Sequence, residues 1–206
     1  MQVLDKARVV FAKKGYHATS ISDLIEAAGI ARGTFYLYFD SKRAIFDELL
    51  EHFFALLTRE VRPVDVSAGA QAPIDQLRAI VRHVLHVLVE NRDLARLVLR
   101  EAVGLDADFD RKLQDFYGRI LEVIRHALET GHKVGLARRC NTAVTSLCIL
   151  GSVKELAYHL LVTQDVGELI DLDAVTREVL DFNVHGLVTL QTGVASGPLD
   201  PKTGRG

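Results

Sequence analysis

Residues 19–46 read TSISDLIEAAGIARGTFYLYFDSKRAIF. Thr19 or Ser20 can cap a helix over Ile21–Ala28, whose Leu24, Ile25 and Ala28 fall on one face. Ala27-Ala28-Gly29-Ile30 then has the chemistry of a tight turn between two closely crossing helices. The alanines allow close approach, Gly29 takes a backbone angle other residues resist, and Ile30 returns to the core. A second short helix is predicted over Ala31–Tyr38. With Phe35 set inward and 100° per residue, Phe39, Ala31 and Tyr38 fall within about 60° of it. Arg32 then lies on the flank, and Gly33, Tyr36 and Leu37 face outward. A core has no need for so many rings on one short helix, so the outward ones are expected to meet something outside the fold.

Working outward, Val3, Ala7, Val10 and Phe11 form a helical stripe that stops at Gly15. Asp40 and Ser41 can cap a fourth helix carrying Ile45, Leu49, Phe53 and Leu56-Leu57. The first helices therefore make a three-helix helix-turn-helix unit. Its outward face suits a DNA groove. Arg32 can fork onto a guanine edge or clamp a phosphate, and Gly33 permits close approach to the backbone. Leu37 suits a thymine methyl, and Tyr36 offers a ring and a hydroxyl. Lys42 opens the fourth helix, where the helix dipole already favours a phosphate, and Thr19 or Ser20 supplies a second such place. The formal net charge of −2 is silent about nucleic acid, but residues 1–43 carry seven Lys and Arg against four Asp and Glu.

The segment GYHATSISDLIEAAGIARGTFYLYFDSKRAIF, residues 15–46, resembles the DNA-binding domain of the tetracycline-repressor (TetR) family of bacterial transcription regulators. The matched positions include Gly15-Tyr16, Thr19, Ile21, Ile25, Ala27-Ala28-Gly29, Gly33-Thr34, Phe35-Tyr36, Tyr38-Phe39 and Lys42. The resemblance implies a homodimer that reads a palindromic operator and responds to a small-molecule effector held in a helical C-terminal domain. Carried over by position, Thr19, Ser20, Arg32, Gly33, Thr34, Tyr36, Leu37, Tyr38 and Lys42 would face DNA. Two departures stand out. The first helix begins almost at Met1, so no basic arm is expected before it. Leu37 also occupies a place where a polar residue would read a base by hydrogen bonding.

The rest of the chain carries helical periodicity almost without strand signals, which gives an all-α fold of about nine helices. RPVDVSAGAQAP, residues 62–73, is a loop by composition. Helices are expected over 74–90, 93–103 and 108–129, with Gly131 to Gly135 breaking the pattern, and then over 142–162 and from Asp171 to about Leu190. The domain expectation is 1–47 for the helix-turn-helix, 48–192 for a larger ligand-binding and dimerisation domain, and 193–206 for a disordered tail. The run NTAVTSLCILGSVKELAYHLLVT, residues 141–163, is apolar on most faces and so needs two partners, its own domain and a second subunit. Gly151 and Ser152 offer a close-approach patch, and the last helix adds Leu172, Val175, Val179, Phe182 and Leu187 to the expected dimer interface.

The ligand pocket is less legible. Arg96, Arg100, Tyr117, Cys148 and His159 are candidate lining residues, and the abundant Leu, Val, Ile and Phe point to a mainly apolar effector. His83 and His86 stand away from the apolar stripe of their helix and are expected at solvent or an interface. Their i, i+3 spacing could hold a metal, but no third ligand stands nearby, so no metal and no cofactor is expected. Asp106–Asp110 lacks the glycine and closing glutamate of a calcium loop and reads as a helix start. Cys140 and Cys148 would sit about 12 Å apart along a helix, too far for a disulfide. No nucleophile elbow, phosphate loop or dinucleotide fingerprint is present, so an enzyme is not expected. With no signal peptide, and with HVLHVLV too short to span a bilayer, a soluble cytoplasmic protein without a membrane partner is expected. The competing function class is a helical interaction module whose N-terminal domain grips a protein, and salt dependence separates the two.

Overall fold

The computed structural model describes residues 2–101, 106–163 and 171–186, the side chains of Gln2, Arg100 and Glu101 excepted. Among the described residues there are nine α-helices, one π-helical turn and no strand. In chain order these are α1 (Gln2–Lys14), α2 (Ile21–Ala28), α3 (Arg32–Tyr38), α4 (Lys42–Thr58) and α5 (Pro73–Glu90). They continue with α6 (Arg92–Glu101), α7 (Ala107–Lys133), α8 (Thr142–Tyr158), the π-turn π1 (His159–Thr163) and α9 (Leu172–His185).

Local chemistry explains the boundaries. Ser20 caps α2 and closes a capping box with Asp23, each side chain meeting the other residue's backbone N–H. Ser41, Asp106, Asn141 and Asp171 cap α4, α7, α8 and α9 in the same way. Pro73 opens α5, where its missing N–H costs nothing. Gly29 ends α2 in the left-handed region, φ 65°, and its N–H reaches the carbonyls of Ile25 and Glu26. The expected break at Gly131 lies later. Gly131 is inside α7, and the chain turns only after Lys133, with Gly135 at φ 74°.

One core runs through the described residues. Phe11, Phe35, Phe53 and Phe109 are fully buried within it. Phe11 meets Phe46 edge-on at 5.2 Å, and Phe54 stacks on Phe116 at 4.3 Å. Each such ring contributes roughly 1.5–3 kcal/mol by burial. The cluster reaches from Ala7 of α1 through α4, α6 and α7 to Leu161 of π1. Helix α4 crosses the expected boundary at residue 47, and ion pairs reinforce its seat on α7. Arg43 pairs with Asp47 and with Asp106, and Lys112 pairs with Glu51 at 2.8 Å.

The last helices leave an apolar face open. Val144, Leu147, Cys148 and Gly151 follow one another on the outer side of α8, and the two large aliphatic residues are more than half exposed. Phe182 on α9 is 75% exposed. Two expected interface residues face inward instead. Val179 is buried, and Ser152 exchanges hydrogen bonds with Asn183 of α9, because these positions fall on the side where the two helices meet each other. Val175 is half-buried. Residues 142–163 also form one continuous helix of 22 residues with mean hydropathy 1.2, a length and composition that would cross a bilayer. Leu187 and the tail 193–206 lie outside the described residues.

Candidate nucleic-acid interface

Helices α2 and α3 are held in place by aromatic residues behind them. Phe35 is fully buried and Phe39 nearly so, 5.9 Å apart between ring centres. With those two turned inward, α3 presents Arg32, Gly33, Tyr36, Leu37 and Tyr38 outward. Leu37 is 81% exposed and Tyr36 42%. Tyr38, expected at the edge of the core, is 72% exposed. The helix ends at Tyr38, so its side chain swings past the last turn and the core beneath it is closed by Phe39. Thr34 is half-buried. The guanidinium of Arg32 stands 5.8 Å over the Tyr36 ring, which sets cation and aromatic side by side on the outer face.

Lys42 is more constrained than a phosphate ligand need be. Its Nζ donates to the carbonyls of Tyr16 at 2.7 Å and His17 at 3.3 Å, and it sits 4.4 Å from the Tyr16 ring centre. An ammonium has three donors, so one remains for a phosphate. Tyr16 itself rests on Phe46 at 4.5 Å, and burial pushes its phenol above the ordinary range while Arg43 pulls the other way. Thr19 is a correction. It is buried, and its hydroxyl donates to Gly15 O at 2.7 Å, which closes the turn between α1 and α2 and removes it from any phosphate. Ser20 is the exposed member of that pair. The local positive charge is also redistributed. Lys14 is paired with Asp23, and Arg43 is committed to Asp47 and Asp106. Arg32 and Lys42 remain as the cations beside α3.

At the other end of the molecule the candidate pocket residues do not converge. Arg96 donates to the backbone carbonyl of Leu161. Tyr117 is half-buried on α7 with Lys154 Nζ at 5.6 Å from its ring, and burial raises its pKa. Cys148 is exposed on the open face of α8, which takes it out of any interior pocket. His159 is exposed at the start of π1, and its Nδ1 lies 2.9 Å from Thr163 Oγ1. The Arg100 side chain lies outside the described residues. His83 donates to Leu56 O at 3.0 Å and so ties α5 to α4, while His86 pairs with Glu90. Asp106 caps α7 as expected of a helix start. A cavity of about 10 Å³, close to the room one water needs, is lined by Leu85 and Leu88 of α5, Ala157, Leu160, Leu161 and Leu172 of α9. Leu172 was expected at the subunit contact and the other leucines read as ordinary core, since a leucine in an apolar stripe carries no mark of a cavity.

Residues 3–49 match the family profile described as bacterial regulatory proteins, tetR family, and residues 70–158 match the tetracyclin repressor-like C-terminal domain. The chain belongs to the TetR family. Among its relatives is the fatty acid metabolism regulator protein of Bacillus subtilis, 24% identical over 186 residues, covering 90% of this chain and 95% of that protein. The fold is shared with the crystal structure of FadR from Bacillus subtilis in complex with stearoyl-CoA, TM-score 0.70 at 23% identity over 90% of this chain and 98% of that one. It is shared also with the ketosteroid regulator KstR2 of Mycobacterium tuberculosis, TM-score 0.71 at 20% identity over 92% and 94%. As a TetR-family member the chain is a DNA-binding transcriptional regulator, with α2 and α3 as its helix-turn-helix.

Proposed function

We propose that the protein is a cytoplasmic homodimeric repressor that binds a palindromic operator and releases it when a mainly apolar small molecule enters the helical body, residues 48–192. The observation that carries this reading is the outward row of α3, where Arg32, Tyr36, Leu37 and Tyr38 are all exposed on a helix whose inner face is already filled. In this reading Arg32 and Tyr36 read base edges, Leu37 meets a thymine methyl, and Gly33 lets the DNA backbone approach. Thr34 and Tyr38 flank the groove, and Ser20 and Lys42 hold phosphates. Val144, Leu147, Gly151 and Phe182 meet their counterparts in the second subunit, which covers an apolar face that a lone chain leaves wet. Two-fold symmetry then sets the readers about one DNA turn apart, roughly 34–36 Å, and an effector that favours a different spacing releases the operator. The acyl and steroid names attached to relatives support an apolar effector.

Selection of bound duplexes from a random pool, at low and at moderate salt, tests the reading. A palindromic site whose affinity falls steeply with salt supports it. A folded dimer that enriches no duplex at either salt overturns it in favour of a protein partner.

A further inference from the structure

Leu37 is 81% exposed, and no large apolar side chain among the described residues is more so. A single wet leucine on an ordinary surface would need no explanation. This one stands in the middle of the row that α3 turns outward, opposite the buried Phe35. At 100° per residue Gly33 falls about 40° from Leu37, Tyr36 about 100° to one side and Tyr38 about 100° to the other. Arg32 lies beyond Tyr36 on the first side, with its guanidinium 5.8 Å from the Tyr36 ring centre. The polar ends of the reading face therefore sit on its flanks, and its middle is aliphatic.

Gly33 shapes the space beside the leucine. A leucine on a helix leans back toward the N-terminus and covers the turn before its own. The residue it covers here is Gly33, where an added Cβ would meet nothing within 4 Å. Leucine and glycine together make a low apolar shelf whose side chains offer neither donor nor acceptor. One feature of the major groove suits such a shelf. Adenine, guanine and plain cytosine show the groove nitrogen and oxygen atoms, while thymine adds a C5-methyl. A cytosine methylated at C5 carries the same group at the same ring position. An aliphatic side chain touches that methyl and makes no hydrogen bond to the O4 or N4 beside it, so it responds to the methyl and not to the base.

We infer that Leu37, lying over Gly33, reads pyrimidine C5-methyl groups and takes 5-methylcytosine as it takes thymine. Methylation of an operator cytosine beneath Leu37 then tightens binding, which makes the operator's modification state an input to regulation. The inference rests on the reading of α3 as the operator-reading helix. Burying one methyl against the leucine contributes about 4-fold in affinity, and the two half-sites of a symmetric operator together about 15-fold. The contact is apolar, so its factor is independent of salt, unlike the phosphate contacts around it.

The test uses the full chain and an operator from the random-pool selection, made as a set of duplexes. In one series uracil replaces each thymine in turn. In the other, the position that responds carries either cytosine or 5-methylcytosine opposite guanine. Fluorescence anisotropy at low and moderate salt reads affinity. For the wild type, uracil at one position should weaken binding about 4-fold in one half-site and about 15-fold in both, equally at the two salts. The 5-methylcytosine duplex should bind more tightly than its cytosine counterpart by the same factors. Leu37→Ala should bind thymine and uracil duplexes alike, and 5-methylcytosine and cytosine duplexes alike, with its melting temperature unchanged because the side chain is exposed. A selected operator in which no thymine responds to uracil overturns the inference. A response that persists in Leu37→Ala assigns the methyl to another contact or to duplex stiffness and overturns it too. A thymine response that vanishes in Leu37→Ala, with no preference for 5-methylcytosine over cytosine, overturns the modification input. A wild type that selects no duplex overturns the operator reading itself, and is told apart from those results because it precedes any comparison of bases.

Discussion

Lys14 Nζ lies 2.7 Å from Asp23 Oδ1, so the last turn of α1 is tied to the first turn of α2. The Asp23 carboxylate also accepts from Ser20 N at 2.9 Å, and the hydrogen bond from Lys14, with that from Ser20 behind it, lowers its pKa to about 2. A carboxyl whose folded pKa is depressed stabilises the fold above its unfolded value of roughly 3.9, and that contribution is lost as pH falls through about 2. Asp23→Asn should therefore lower the melting temperature at pH 7. The gap to the wild type should close in melts run from pH 5 down to pH 2. A gap that stays constant across that range would remove the ion pair and the capping box as its cause.

Arg32→Ala and Tyr36→Ala should each weaken the selected operator by roughly 1–3 kcal/mol if each reads a base. Both are exposed, so melting should barely change. Because the guanidinium of Arg32 stands over the Tyr36 ring, the double variant should lose less than the two losses combined. Binding titrations on matched and base-substituted duplexes check this. An Arg32 variant with unchanged affinity and specificity would take it out of the interface.

Lys42→Ala has two expected consequences. Binding should weaken about equally for all duplexes, with the salt slope smaller by roughly 1. Stability should also fall by about 1–2 kcal/mol, since the carbonyls of Tyr16 and His17 lose a cationic donor. Denaturant melts and salt titrations separate the two effects.

Phe182→Glu should turn a dimer into a monomer in light scattering and abolish operator binding, because a charge is placed on the open face of α8 and α9. Cys148 lies on that face and should react slowly with a maleimide in the wild type and fast in the variant. Equal rates in both would move the subunit contact to another surface.

Gly29→Ala should cost about 1 kcal/mol by denaturant melting, although open space surrounds the position a Cβ would take. The cost comes from φ 65° alone.

What could be read in the sequence was whatever acts locally. Ser20, Asp106 and Asp171 announce helix starts by their own side chains, and Gly29 announces a left-handed turn by having none. The inward pair Phe35 and Phe39 follows from helical spacing. Misreadings arose where the deciding partner is remote or the spacing rule runs out. Thr19 looks like a cap until Gly15 O takes its hydroxyl. Tyr38 looks half-inward until the helix ends beneath it. Arg43 counts toward a basic face until Asp106, more than sixty residues later, turns it around. The π-turn leaves no mark in periodicity, because Leu160, Leu161 and Val162 are apolar on any helical register.

Because α4 belongs to both ends of the molecule and one aromatic core runs beneath it, the DNA-reading helices should melt together with the helical body in a single transition. Cutting the chain after Phe46 would leave Phe11, Phe35 and Phe46 without the leucines and phenylalanines of α4, α6 and α7 that enclose them. Exchanging this reading head for another regulator's is therefore a problem of surface matching. A chimera that transplants only the first three helices inherits the wrong floor, and one that carries the facing side chains of α6 and α7 with them keeps a single cooperative fold.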